Sequence, residues 1–179
     1  MDLPLRQQIR DALLRTTVPA LHAFAEVIFE REGDRIACWG NLADYVLAHL
    51  DRDDDRIALW RALVDVGDCR PLLVFLDLNR NRPSVLRAAL EDVAGLPLTI
   101  QRALVSMPEA EPQLEVALPL LSAGALELVT DADARARDRV LYESHMASLR
   151  AHRAAAPCSL SLDINFSEAT EALTSGDLP

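Results

Sequence analysis

Apolar positions recur at helical spacing through most of the chain. Leu21, Phe24, Ala25 and Ile28 fall at i, i+3, i+4 and i+7, one face of a helix. Thr17 and Pro19 stand where a cap and a first-turn proline would begin that helix. Leu42, Tyr45, Val46 and His49 repeat the pattern after Gly40-Asn41, and Ile57, Trp60, Leu63 and Val64 repeat it up to Gly67. Val85, Leu86, Ala89, Leu90 and Val93 form a fourth set, opened by Pro83 and closed by Gly95.

Proline punctuates the middle of the chain. Pro71, Pro83, Pro97 and Pro112 lie 12, 14 and 15 residues apart. Each is placed to occupy the first turn of a short helix, where its missing N–H is not needed. Leu72 to Leu78 is apolar on nearly all sides and reads as a buried helix or a buried strand. Pro71 and the helical surroundings favour the helix. Pro119, inside the apolar run Leu114 to Leu121, should kink or end the helix that contains it. A long last helix is expected from Thr130 to about Arg153, with Thr130 and Asp133 in the places of a capping box. The stretch Asn81 to Leu90 resembles a helix of a HEAT-type repeat, but no period of ~40 residues recurs as such an array requires. The expected fold is mainly α: an irregular antiparallel helical bundle, or a short HEAT-like helical stack, of about seven to nine helices.

The C-terminal stretch departs from this. Leu160, Leu162, Ile164 and Phe166 alternate with Ser159, Ser161, Asp163 and Asn165, which is the period of a half-buried strand. A strand's backbone groups need partners. This one can pair with residues 72–78 if those are a strand, dock as an arm on its own domain, or add to a partner's sheet edge. The organisation expected is a helical domain over residues 1–156 and an extended arm with an acidic tail over 157–179.

Composition narrows the core. Half of the 179 residues are hydrophobic, yet only four Phe, two Trp and two Tyr are present. The core must therefore be built from Leu, Val, Ile and Ala, a mixture that suits helix packing better than a β-sandwich. A chain of this size buries roughly 70% of its unfolded surface and can fold without a metal or a disulfide.

Charge narrows the function. The formal net charge is −10, and all 18 basic residues are Arg. With the abundance of Ala, the lack of Lys points to a GC-rich, bacterial coding sequence. The acidic balance argues against nucleic acid, whose phosphates need a basic face, and against anionic membranes. No apolar run is long enough to span a bilayer and no secretory signal is apparent. Cys38, Cys69 and Cys158 match no metal or redox spacing and are expected as reduced thiols in a cytoplasm. Residues 103–134 hold six acids and no Arg, whereas Arg135, Arg137 and Arg139 follow directly and are expected to neutralise that block.

Catalytic signals are weak. Asp51, Asp53 and Asp55 imitate the start of an EF-hand loop, but Arg56 replaces the glycine and Ala62 the glutamate, so the run reads as helix-capping acids. His22, Glu26 and Glu30 share a helix face without a second ligand stripe. Ser144 and His145 are adjacent and do not face each other on a helix. Glycine-rich phosphate loops and the nucleophile elbow are absent. No cofactor, metal or catalytic residue is predicted.

The expectation is a non-catalytic protein-binding module of the adaptor, secretion-chaperone or toxin-neutralising type, engaging another protein with a basic surface through a helical groove and acidic surface. The candidate contact residues are Trp39, Glu109, Glu111, Glu115, Leu160, Leu162, Ile164 and Phe166. The alternatives are a small enzyme assembling a site from His22, Cys38, Cys69 or His145, and a structural subunit of a larger assembly. The pattern specifies no oligomeric state.

Overall fold

The computed structural model describes residues 3–26 and 46–155. The chain is a mainly α, irregular helical bundle, and the described residues contain no strand. Its helices are α1 (Leu3–Leu14), α2 (Pro19–Glu26), α3 (Asp53–Val66), α4 (Cys69–Asn79), α5 (Pro83–Glu91), α6 (Leu98–Ser106), α7 (Leu114–Ala117), α8 (Ala123–Thr130) and α9 (Ala132–Ala155). Helical residues 46–49 precede α3.

Two helices organise the packing. In the N-terminal half, α3 touches α1, α2, α4 and α5; in the C-terminal half, α6 touches α4, α8 and α9. One continuous core runs through both, from Leu5 and Ile9 to Tyr142 and Met146. Trp60 sits at its centre with its ring 5.4 Å from that of Phe75, tilted by 38°. Most of the rest is Leu, Val, Ile and Ala. A fully buried Leu contributes about 2 kcal/mol, whereas an exposed ion pair contributes about 0–1 kcal/mol. The aliphatic core therefore carries the stability, and the many ion pairs described below set how the helices meet.

The ambiguous residues 72–78 lie within α4, so Pro71 occupies a first turn. Asp68 caps that turn by accepting from the Arg70 backbone N–H at 2.8 Å. With no strand there, residues 159–166 cannot pair with this segment. Gly67 ends α3 at φ 77°, a left-handed conformation that costs a residue with a Cβ energy, and its N–H bonds back to Leu63 and Val64. Pro83 is the first residue of α5, and Val85, Leu86, Ala89 and Leu90 are buried as expected. The helix itself stops at Glu91, and a 3-10 turn over Val93–Gly95 carries Val93 into the core. Gly95 therefore ends the turn rather than the helix.

Three further expectations need correction. Pro97 is the residue before α6, not inside its first turn. Pro112 lies within a 3-10 segment, Pro108–Gln113. Thr130 does not start the last helix: it is the last residue of α8, and its hydroxyl donates back to the carbonyls of Leu126 and Glu127. The cap of α9 is Asp131, whose carboxylate accepts from the N–H groups of Asp133 and Ala134 at 3.0 and 2.9 Å. A carboxylate accepts two such bonds where a threonine hydroxyl accepts fewer, and the α8 backbone captures the Thr130 hydroxyl. Pro119 does end its helix, because α7 gives way at Leu118 to a 3-10 turn over Leu118–Leu120.

Candidate interaction surface

The charged residues fall into two groups, those that join helices and those left facing solvent. The joining group centres on Arg80, just after α4. Its guanidinium donates to Glu143 on α9 at 2.6 Å and to Glu109 at 3.1 Å. Asp77 on α4 pairs in turn with Arg150 on α9. The Arg80 hydrogen bond holds the Glu143 carboxyl below the usual carboxylate range, and that same bond raises the Arg80 guanidinium. Tyr142 is buried beside this network. Its hydroxyl has no hydrogen-bond partner among the described residues, and burial pushes the phenol far above its ordinary value.

A second joint fixes α9 against α6. Asp138 is buried and accepts from Arg102 at 2.7 Å and from the Ser106 hydroxyl at 3.2 Å. The next residue, Arg139, donates to the Ser106 carbonyl at 3.0 Å and to Glu111 at 2.7 Å. Arg135 binds the same Glu111 oxygen. These bonds, that from Arg139 foremost, hold the Glu111 carboxyl below its usual range. Arg135 and Arg139 thus neutralise part of the acidic block, as the charge pattern suggested, whereas Arg137 is exposed without an ion pair among the described residues.

The Asp51–Asp55 run has a structural job. Asp53, Asp54 and Asp55 occupy the first turn of α3, where negative charge is favourable. Asp53 also accepts from Ser84 and from Arg82 at 2.6 Å, tying α3 to the start of α5. Arg56, beside it, is only 1% exposed. Its guanidinium donates to the Leu50 carbonyl and to Asn79 at 2.9 Å. Asn79 spends its own amide on the Phe75 carbonyl at 2.7 Å. Spacing had put Ile57, Trp60, Leu63 and Val64 on the buried face of α3: Trp60 and Leu63 are buried, Ile57 and Val64 pack partly buried against the core, and Arg56, Leu59 and Ala62 join the face without having been marked by it.

Of the residues proposed for a catalytic site, Cys38 lies outside the described residues; His22, Cys69 and His145 are within them. His22 Nε2 lies 2.7 Å from the Thr16 carbonyl oxygen, which occupies it in holding α2 to the end of α1. Burial pushes the Cys69 thiol up, away from the reactive thiolate. Burial also pulls the His145 imidazole down. Among the described residues no group of three His, Cys, Asp or Glu is placed to hold a metal ion. Nor is any described helix long and apolar enough to cross a membrane.

Of the predicted contact residues, Trp39, Leu160, Leu162, Ile164 and Phe166 lie outside the described residues. Glu109 and Glu111 are engaged with Arg80 and with Arg135 and Arg139. Glu115 is exposed, has no ion pair among the described residues, and belongs to a surface that the pattern did not single out. Among the described residues seven large apolar side chains are exposed: Leu14, Leu47, Val116, Leu120, Leu126, Val140 and Leu141. Three of them lie within the eleven residues 116–126, inside the stretch without Arg. Val116 and Leu120 are both exposed, one in α7 and one in the 3-10 turn that follows it. Leu126 follows on the outer side of α8, whose inner residues Ala125 and Leu128 are buried. Glu115 and Glu127 border this segment, both exposed and neither paired with a cation among the described residues.

The sequence signal for it was present. Pro119 breaks the apolar run into short turns, and a short turn can bury only one side. Compared with known proteins, the chain matches no family model, no curated protein and no solved structure.

Proposed function

We propose that the chain is a non-catalytic protein-binding module whose contact surface is residues 115–127. The observation that carries this is the exposed Val116, Leu120 and Leu126 between two acids that no described cation neutralises. Exposed apolar residues grouped in one segment mark binding surfaces more often than scattered ones do. The flanking Glu115 and Glu127 select a partner that offers apolar side chains bordered by Arg or Lys, because like-charged surfaces are repelled as they approach. Adaptor, secretion chaperone and toxin neutraliser are all compatible with that chemistry.

The test starts from capture on the immobilised chain at low salt, followed by binding measurements with the purified partner. The double variant E115R/E127R should weaken affinity about five- to tenfold, the worth of two rim charges. V116S/L120S should weaken it further. High salt should weaken the wild type towards the level of E115R/E127R. A partner that binds both double variants as well as wild type would sink the proposal, and so would failure to capture any.

A further inference from the structure

The last helix turns an uncharged side to solvent. None of the exposed residues of α9 between Asp138 and Ser148 is charged, although the helix carries Arg135, Asp138, Arg139, Glu143 and Arg150. Those five are turned inward or to the flanks, where each is bonded to α4, α6 or the 108–113 turn. Between Arg137 at one end and Arg150 at the other, both exposed, the residues left outside are Val140, Leu141, Ser144, Ala147 and Ser148, with Val140 67% exposed. A helix on the surface of a globular protein ordinarily sets its charges opposite the buried stripe. Here both sides are poor in charge: Tyr142 and Met146 face the core, and Val140 and Leu141 face out.

We infer that this outer face is the seat of the chain's own residues 159–166. Three observations favour that occupant. The chain leaves α9 at Ala155, so the segment begins at the end of the face it would cover. Eight extended residues reach about 26 Å, and the helix from Ala136 to Ala151 runs about 22 Å. Doubling back at Pro157 therefore brings Leu160, Leu162, Ile164 and Phe166 along the face within one span. Their alternation puts all four on the same side of an extended chain. Charge agrees as well. Residues 154–179 carry four acids and no Arg, so the tail that follows Phe166 past the exposed Arg137, at the far end of the face, is acidic. This contact is independent of the 115–127 surface.

The test uses the purified full chain and chymotrypsin, which cleaves after Phe166. The comparison is with V140D/A147D, two substitutions at exposed positions that should leave helicity and melting unchanged. Seated residues are cut only when they lift off, so wild type should lose the tail about tenfold more slowly than the variant. The difference should persist on tenfold dilution. Equal cleavage rates would overturn the inference. Protection that fades on dilution would overturn it too, by assigning the face to a second copy. No partner is present in this experiment, so its failure leaves the 115–127 surface to be judged by its own binding data.

Discussion

Arg102 on α6 and Asp138 on α9 meet through a 2.7 Å hydrogen bond, with the aspartate 3% exposed. The Ser106 hydroxyl completes the carboxylate's surroundings. The longest helix is thereby held in one register against the helix that organises the C-terminal half. Removing the carboxylate leaves the Arg102 guanidinium, itself only 19% exposed, without its partner. Asp138→Ala should lower unfolding free energy by about 3 kcal/mol, the usual result of breaking a buried pair. Chemical denaturation checks this, and a loss below about 0.5 kcal/mol, the size of an ordinary surface change, would show that the core alone sets the register.

Arg56 gives a second case in which a charge is held inside. Its bonds run to the Leu50 carbonyl and to Asn79, so the group joins α3 to the turn before it and to the end of α4. Arg56→Met fills much of the same volume but strands both acceptors, and should cost about 2–4 kcal/mol. Adding Asn79→Leu removes one stranded acceptor. The double variant should therefore be less destabilised than the sum of the two single variants, by about 1 kcal/mol in a double-mutant cycle. Strict additivity would mean that the two side chains do not act together.

Tyr142 reverses the usual expectation for a buried tyrosine. Its hydroxyl is buried with no partner among the described residues. Deleting an unsatisfied polar group relieves its desolvation cost. Tyr142→Phe should be neutral or stabilise by up to about 1 kcal/mol in thermal or chemical unfolding. A clear loss of stability would reveal a hydrogen bond made by that hydroxyl.

Acid should weaken the α9 joints in two stages. The His145 imidazole is held below its ordinary value by burial, so the unfolded chain binds its proton first. Stability then falls as pH drops below about 6.5, the unfolded histidine value. The Glu143 carboxyl is held low by Arg80, so its contribution is complete above the unfolded glutamate value of about 4.3 and is lost as pH falls below it. His145→Gln should flatten the first stage only, and Glu143→Gln should reduce the second, which Glu111 and Asp53 share because both are also held low, in denaturation midpoints measured from pH 8 to pH 3. A first stage that survives His145→Gln would assign it to another group.

Much of the fold was legible because helix formation is local. The i, i+3, i+4 spacing, Pro83 at a first turn and Gly67 beyond a last turn act within a few residues, and the structure puts each where the pattern does. Where two local rules compete, reading failed. Thr130 and Asp131 both make good caps, and only the pull of the α8 carbonyls on the threonine hydroxyl settled the boundary. Arg56 was missed on the α3 face because arginine is counted polar, while its guanidinium finds one acceptor six residues back at Leu50 and another 23 residues on at Asn79.

By itself, the sequence determined that the chain is helical, that its core is aliphatic, and that residues 103–134 bear acids without Arg. These are properties of composition and of short spacing. Tertiary structure decided which charges are used up. Glu109 and Glu111 look equivalent to Glu115 along the chain, yet Arg80, Arg135 and Arg139 come to the first two and leave the third in solvent. Ion pairs across 29, 24 and 28 residues depend on how helices pack, and no local spacing encodes that. The same packing turned Val116, Leu120 and Val140 outward while burying neighbours of equal hydrophobicity, because each helix has only one side to give to the core.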